Sequence, residues 1–342
     1  MREATTITLA DGRVLSYAEH GDLDGFPILY NHPLPGARNF TLEAPALRTA
    51  RARCFTLERP GIGLSTRAPG HTLSDWAADV VEFADALGLE RFAVVGVSAG
   101  GSYALALGHA VPDRVSRVGL VCAMGPILDH PEFDDDFNHP LRALLPVARE
   151  DADAAEALLR QFLAPLGERY RADPEAFFEE WLQGWPADQQ VLYRKYKSRW
   201  MPAIEATHRD TDGYADDIVA ALHWTFDPGE IHVPVRSWHG TLTKRRRSTS
   251  PAWWSRRPAA SWCHTRASGT TSDPNTTTNG RPGWSRQDDG SGGMPPISVV
   301  ESCPKCRSVA KRSAGTESFC RVVRARSEGT GVDLSLLDPQ LA

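Results

Sequence analysis

The sequence predicts an α/β fold, a mostly parallel sheet with helices on both faces, and three observations predict it. Short apolar stretches of strand length alternate with segments at helical pitch between residues 5 and 242. One β-branched stretch, Phe92-Ala93-Val94-Val95, runs through Gly96-Val97-Ser98-Ala99-Gly100-Gly101 straight into Tyr103-Ala104-Leu105-Ala106-Leu107 at helical pitch. An all-helical block then interrupts the alternation before one further strand signal.

Each element has its own local cause. Thr5-Ile7-Leu9 alternates, Asp11-Gly12 turns, and Val14-Leu15-Tyr17-Ala18 resumes, which predicts a β-hairpin. Residues 26–30 and 54–57 are the next strands. They lead into Asn31-His32-Pro33-Leu34-Pro35-Gly36 and Arg59-Pro60-Gly61-Ile62-Gly63-Leu64-Ser65. Residues 72–87 read as a helix: Thr72 caps it with Asp75 three residues on, Trp76, Val80, Phe83 and Leu87 form one stripe, and Gly88 stops it. Pro112-Asp113-Arg114-Val115 leads into a strand at 118–121. Residues 218–224 return as a helix and 233–240 as the penultimate strand.

The sharp turn at Ser98 carries the chemistry. Gly-x-Ser-x-Gly between a strand and a helix holds the serine in a strained conformation, with Oγ exposed at the carboxyl end of the strand. Gly96 and Gly100 are needed because strand and helix pass closely there. The Ala99 N–H, at the helix N-terminus, points to where an oxyanion would form. The bland alternative is a serine in a glycine-rich turn; the strand and helix on either side favour a nucleophile.

Composition bounds the remaining possibilities. Of 342 residues, 41% are hydrophobic and 24% charged, as in ordinary globular proteins. No apolar run approaches a membrane span, and Met1-Arg2-Glu3-Ala4-Thr5 has no signal-peptide core, so the expected location is cytoplasmic. The net charge of −5 hides an asymmetry: residues 243–342 carry 16 Lys and Arg against 8 Asp and Glu, and residues 1–242 carry 22 against 35. Cys54 and Cys122 lie in the body, which suggests a reducing compartment without disulfides, while Cys263, Cys303, Cys306 and Cys320 lie in the basic tail.

The hairpin, His32-Pro33-Leu34-Pro35-Gly36, Arg59-Pro60-Gly61-Ile62-Gly63-Leu64-Ser65, Gly96-Val97-Ser98-Ala99-Gly100 and Pro112-Asp113-Arg114-Val115 follow one another in the order found in α/β-hydrolases. The chain resembles that superfamily from about residue 5 to 242. The resemblance implies that the loop after the third strand supplies a second oxyanion donor, the backbone N–H of Leu34, beside that of Ala99. Pro33 stands where the family has a glycine; it lacks an N–H, but the donor expected is one residue later. His32 reads as a brace for the loop rather than a proton shuttle.

The resemblance implies a division into core (1–126), helical cap (127–210), core (211–242) and a low-order basic tail (243–342) not native to the fold. Within the cap segment, Leu141-Leu144-Leu145, Ala155-Leu158-Leu159-Phe162, Phe177-Phe178-Trp181-Leu182 and Val191-Leu192-Tyr196 recur at spacings of three and four. Trp181, Trp185, Tyr193 and Trp200 either line an apolar pocket or form the cap's own core, and the core reading is favoured. Asp134-Asp135-Asp136 reads as a solvated acidic loop rather than a metal site. No cofactor or metal is implied, and the expected partner is a small-molecule substrate, not nucleic acid or membrane.

The pattern breaks after His239-Gly240-Thr241-Leu242. The family places an acid there and a histidine after one more strand, whereas this chain continues Thr243-Lys244-Arg245-Arg246-Arg247. The tail is rich in Arg, Ser, Thr, Pro and Trp, without hydrophobic period. Back-translated with GC-rich codons and read two bases later, residues 242–252 become Asp-Glu-Ala-Ala-Pro-Leu-Asp-Val-Ala-Arg-Met. Residues 260–272 become Glu-Leu-Val-Pro-His-Pro-Gly-Glu-Trp-His-His-Leu. Third bases are free choices, but the valine from Trp262-Cys263 is fixed by the code. These strings restore an acid, a last strand and a histidine where the family has them. The tail thus reads as a frameshift, one base lost near the Leu242 codon in the gene or its sequencing.

The alternatives for the tail are weaker. Cys303-Pro304-Lys305-Cys306 lacks the second pair that a zinc ribbon needs. Lys244-Arg245-Arg246-Arg247 lacks aromatic platforms for nucleic acid. His264 is a candidate base, though nothing around it resembles the family's final loop. Two function classes follow: a serine hydrolase using Ser98, Leu34 and Ala99, whose activity as written is in question because the family's acid and histidine are missing, or a non-catalytic binder that keeps the pocket.

Overall fold

The structure is a computed structural model that describes residues 5–131, 140–240 and 260–265. The chain opens with β1 (Thr5–Thr8) and β2 (Val14–Gly21), antiparallel through Thr8↔Val14, the hairpin that Asp11-Gly12 predicts. Next come β3 (Phe26–Asn31), the short helix α1 (Ala44–Thr49), which sequence reading did not mark, and β4 (Ala52–Leu57). Helix α2 (Leu73–Ala86), strand β5 (Phe92–Val97), helix α3 (Gly100–Ala110) and strand β6 (Val115–Val121) complete the first half.

The start of α2 shows sequence setting local structure. The Thr72 side chain accepts from the Asp75 N–H, and Asp75 accepts in return from the Thr72 N–H, so two donors of the first turn are satisfied. Trp76, Val80 and Phe83 are buried as the stripe requires. Phe83 meets Tyr17 and Phe55 edge-on, at ring separations of 5.0 and 5.6 Å.

All helices described between β6 and β7 (Val235–Gly240) belong to one inserted stretch: α4 (Leu145–Glu150), α5 (Ala152–Ala172), α6 (Pro174–Gln183), α7 (Ala187–Lys195), α8 (Lys197–His208) and α9 (Thr211–Leu222). Asp151, Asp173 and Asp210 cap α5, α6 and α9 through their side chains. None of the described helices is long and apolar enough to cross a membrane.

The strands form one sheet in the order β1-β2-β4-β3-β5-β6-β7-β8, parallel from β4 onward and antiparallel through β1, β2 and β4. The last strand corrects the sequence reading, which ends the sheet at β7. Residues of the tail, Ala260–Thr265, form β8 and run parallel to β7 with His264 opposite His239. A strand that ended the sheet would present a row of unpaired N–H and C=O groups, and pairing with β8 satisfies those of β7. Asp134-Asp135-Asp136, Lys244-Arg245-Arg246-Arg247, Cys303, Cys306 and Cys320 lie outside the described residues.

Candidate active site

The site grows from the carboxyl ends of β3 and β5, which pair in parallel with Asn31 opposite Gly96. Both strands then turn, so the loop after Asn31 and the turn at Ser98 emerge side by side. Ser98 has φ +52°, a left-handed conformation that costs energy in a residue with a Cβ and persists only where the surroundings impose it. Three backbone bonds impose it here. The Ser98 N–H donates to Val121 O at 3.0 Å, and Ser98 O accepts from the N–H groups of Gly101 and Met124 at 2.9 and 3.1 Å.

A Cβ on Gly100 would lie 2.2 Å from Asn31 O and 2.7 Å from His32 O, so glycine lets the loop after β3 touch the first turn of α3. Sequence reading leaves Ser98 exposed, but the structure buries it completely. The β3 loop and the segment after β6, bound through Met124, close over the turn from two sides.

Leu34, on the loop after β3, and Ala99, next to Ser98, are both buried, and their N–H groups take no acceptor among the described residues.

His32 braces the loop, as expected. Its Nδ1 lies 2.8 Å from Pro33 O, and a carbonyl only accepts, so Nδ1 carries the proton. Burial, reinforced by Arg59, pushes the imidazole well below its ordinary pKa, so it stays neutral near pH 7. Nε2 is buried and has no partner among the described residues.

Behind the loop lies a buried ionic cluster that sequence reading missed. Arg59 and Asp217 are fully buried and joined from Nε to Oδ1 at 2.7 Å. Arg59 Nη1 donates to His32 O at 2.9 Å, and the guanidinium lies 4.5 Å over the Tyr103 ring. The Tyr103 hydroxyl donates to Asp217 Oδ1 at 2.5 Å. Burial, with the Asp217 charge adding to it, pushes this phenol well above its ordinary pKa and keeps it a donor. The signal was present in the sequence: an acidic residue at 217 sits on the same helical face as Tyr214, Ile218 and Ala221, where a charge needs a partner.

Trp185, Tyr193 and Trp200 are buried in a second core cluster with Trp181 packed against it, so the core reading describes them. Ring separations run from 4.7 Å for Trp185–Tyr193 to 5.5 Å for Trp181–Trp200, and Phe40 meets Trp200 at 5.1 Å. The cluster includes Val97 and Val121, the last residues of β5 and β6, so the helical stretch packs onto the sheet beside Ser98.

Comparison with known proteins agrees with this architecture. A family model described as alpha/beta hydrolase fold matches residues 27–164. A non-heme chloroperoxidase of Streptomyces lividans is 30% identical over 134 residues, 38% of this chain and 49% of that protein. The chain therefore spans about half the length of this curated relative. The enol-lactonase of Burkholderia xenovorans LB400 is similar over 76% of this chain and 90% of its own, with TM-score 0.53 and 19% identity. An esterase of Exiguobacterium antarcticum is similar over 77% and 90%, with TM-score 0.53 and 17% identity. At these identities the solved structures speak for the fold, and with the sequence match over residues 27–164 they agree on one conclusion: the chain has the α/β-hydrolase fold.

Proposed function

We propose that the chain is a serine hydrolase acting on an ester, amide or related carbonyl group of a small molecule. The observation that carries this reading is Ser98 at φ +52° between β5 and α3, on a turn packed against the start of the loop that carries Leu34. Ser98 Oγ attacks the carbonyl carbon, and the N–H groups of Leu34 and Ala99 stabilise the tetrahedral oxyanion. Collapse expels the leaving group and leaves an acyl-serine, which water cleaves. Residues 127–210 act as the cap over the substrate. Relatives named as an esterase, a lactonase and a chloroperoxidase keep the subclass open among esterase, aminopeptidase and cofactor-free haloperoxidase-like activities. A serine nucleophile argues against haloalkane dehalogenase and epoxide hydrolase chemistry, which uses a carboxylate.

A second reading, a small-molecule binder that has given up catalysis, is favoured by one observation. Thr243-Lys244-Arg245 follows His239-Gly240-Thr241-Leu242 where the family carries its acid. A serine hydroxyl is a poor nucleophile unless a base takes its proton. A fluorophosphonate probe decides between them. The hydrolase reading expects covalent labelling of the full-length chain that disappears in Ser98→Ala, and an unlabelled, folded wild-type chain whose reading frame through Thr243 is confirmed would leave only the binder.

A further inference from the structure

The oxyanion-side loop is held at two consecutive peptide units, and different groups hold them. The His32 carbonyl accepts from Arg59 Nη1 at 2.9 Å, and the Pro33 carbonyl accepts from His32 Nδ1 at 2.8 Å. The Pro33 carbonyl and the Leu34 N–H belong to one planar peptide unit, so fixing the first fixes the direction of the second. Between the two held planes lie only the backbone torsions of Pro33, and its ring locks φ. The residue that departs from the family pattern therefore stiffens the link from the Arg59 anchor to the Leu34 donor. Gly36 completes the arrangement, since a Cβ there would lie 2.2 Å from Pro33 O.

Arg59 is itself fixed from elsewhere. Asp217, its buried counter-ion, belongs to α9, the helix that brings the inserted stretch back to the sheet. Tyr103, which stacks on the guanidinium and donates to Asp217, belongs to α3, the helix that starts beside Ser98. A guanidinium bonded along two edges and stacked on one face has a fixed plane, which a lysine ammonium at that position would lack.

We propose that Arg59 is a positioning residue for the oxyanion hole: through His32 O and the rigid Pro33 link it aims the Leu34 N–H, and Asp217 on α9 ties that aim to the seating of the helical insertion. The proposal rests on the serine-hydrolase reading for its consequence in catalysis but not for its geometry, so the two are tested separately.

The test uses the full-length chain, with Arg59→Lys and Pro33→Gly beside wild type. One arm follows inactivation by a fluorophosphonate, resolved into its maximal rate and its half-saturating concentration. Arg59→Lys is expected to lower the maximal rate about 10- to 100-fold, as misplacement of a catalytic group does, with the half-saturating concentration within about twofold. The second arm follows amide hydrogen exchange. The amides of His32, Leu34 and Gly36 should exchange at least about tenfold faster in both variants, while those of the β1–β2 hairpin stay unchanged. Unaltered exchange in this loop in a folded variant overturns the proposal. So does a fall in affinity with an unchanged maximal rate. If wild type is not labelled at all, the hydrolase reading fails, and the exchange arm alone still decides whether Arg59 holds the loop. If Arg59→Lys does not fold, Pro33→Gly, which leaves the ion pair intact, decides by the same exchange criterion.

Discussion

Arg13 on the hairpin grips both carboxylate oxygens of Asp79 on α2, with Nη1 2.9 Å from Oδ2 and Nη2 2.6 Å from Oδ1. His71 Nε2 adds a bond to Oδ2 at 3.1 Å. Burial acts to raise the Asp79 pKa, but the hydrogen bonds from His71 and Arg13 outweigh it and leave the carboxyl below its ordinary value. A carboxyl depressed in the folded state adds stability above its unfolded pKa, and this stability is lost as pH falls through the folded value. Asp79→Asn should therefore cost about 2 kcal/mol at pH 7, the range for hydrogen bonds to a charged group. It should also weaken the dependence of stability on pH below about 4, near the unfolded carboxylate value. Urea titrations of both proteins at neutral and acid pH measure the two effects.

His208 predicts a pH dependence in a different window. Its ring is buried against Phe177, Tyr214 and Tyr170, and burial pulls its pKa down from 6.5 to about 4. The unfolded chain binds the proton more readily than the folded one between those values. Stability is thus fully present above 6.5 and falls as pH drops toward 4. The loss should reach about 3 kcal/mol at the acid end of the window. His208→Phe should flatten that slope, which denaturant titrations across the window would show.

Gly100→Ala places a methyl 2.2 Å from Asn31 O. The neighbour is backbone at the end of a buried strand, so it cannot swing aside as a flexible side chain would. We expect a loss of about 3 kcal/mol, at the upper end of overpacking costs. Because the same movement displaces the Leu34 N–H, fluorophosphonate labelling of Ser98 should slow even at temperatures where the variant is folded. Thermal melts and labelling rates on one preparation check both expectations.

Resequencing across the Leu242 codon tests the frameshift reading. A missing base is the expected result. The restored chain should then label faster with fluorophosphonate than the chain as written, because an imidazole beside Ser98 commonly accounts for about 10⁶ in turnover. An uninterrupted frame through Thr243 removes this reading. His264 is then the first residue to replace by alanine in the search for a base.

Much of the architecture was legible because local chemistry and tertiary structure agree in this chain. Thr72 with Asp75, Asp11-Gly12, and Gly96-Val97-Ser98-Ala99-Gly100 each specify their geometry within a few residues. As candidate donors, Ala99 could be named from its place in the turn, and Leu34 only from the family resemblance. Asp217 could not be paired with Arg59, since they are 158 residues apart and nothing local fixes the partner of a buried charge. β8 escaped for a related reason: Ala260–Thr265 has little strand pattern of its own, and its place comes from the edge that β7 offers.

Val118 and Val235 lie side by side in β6 and β7, although the whole helical stretch runs between them in the chain. The entropy lost in closing such a loop rises by only about 0.6 kcal/mol for each doubling of its length. The strand pair is therefore nearly indifferent to how much chain separates its members. Ser98, Leu34, Arg59 and Pro33 all precede the break, and the strand that resumes the sheet follows it. A single contiguous exchange of gene sequence can thus replace the helical stretch while the strands and turns that carry the proposed site are inherited intact. Asp217 marks how far such an exchange can reach before it cuts into the support of the oxyanion loop.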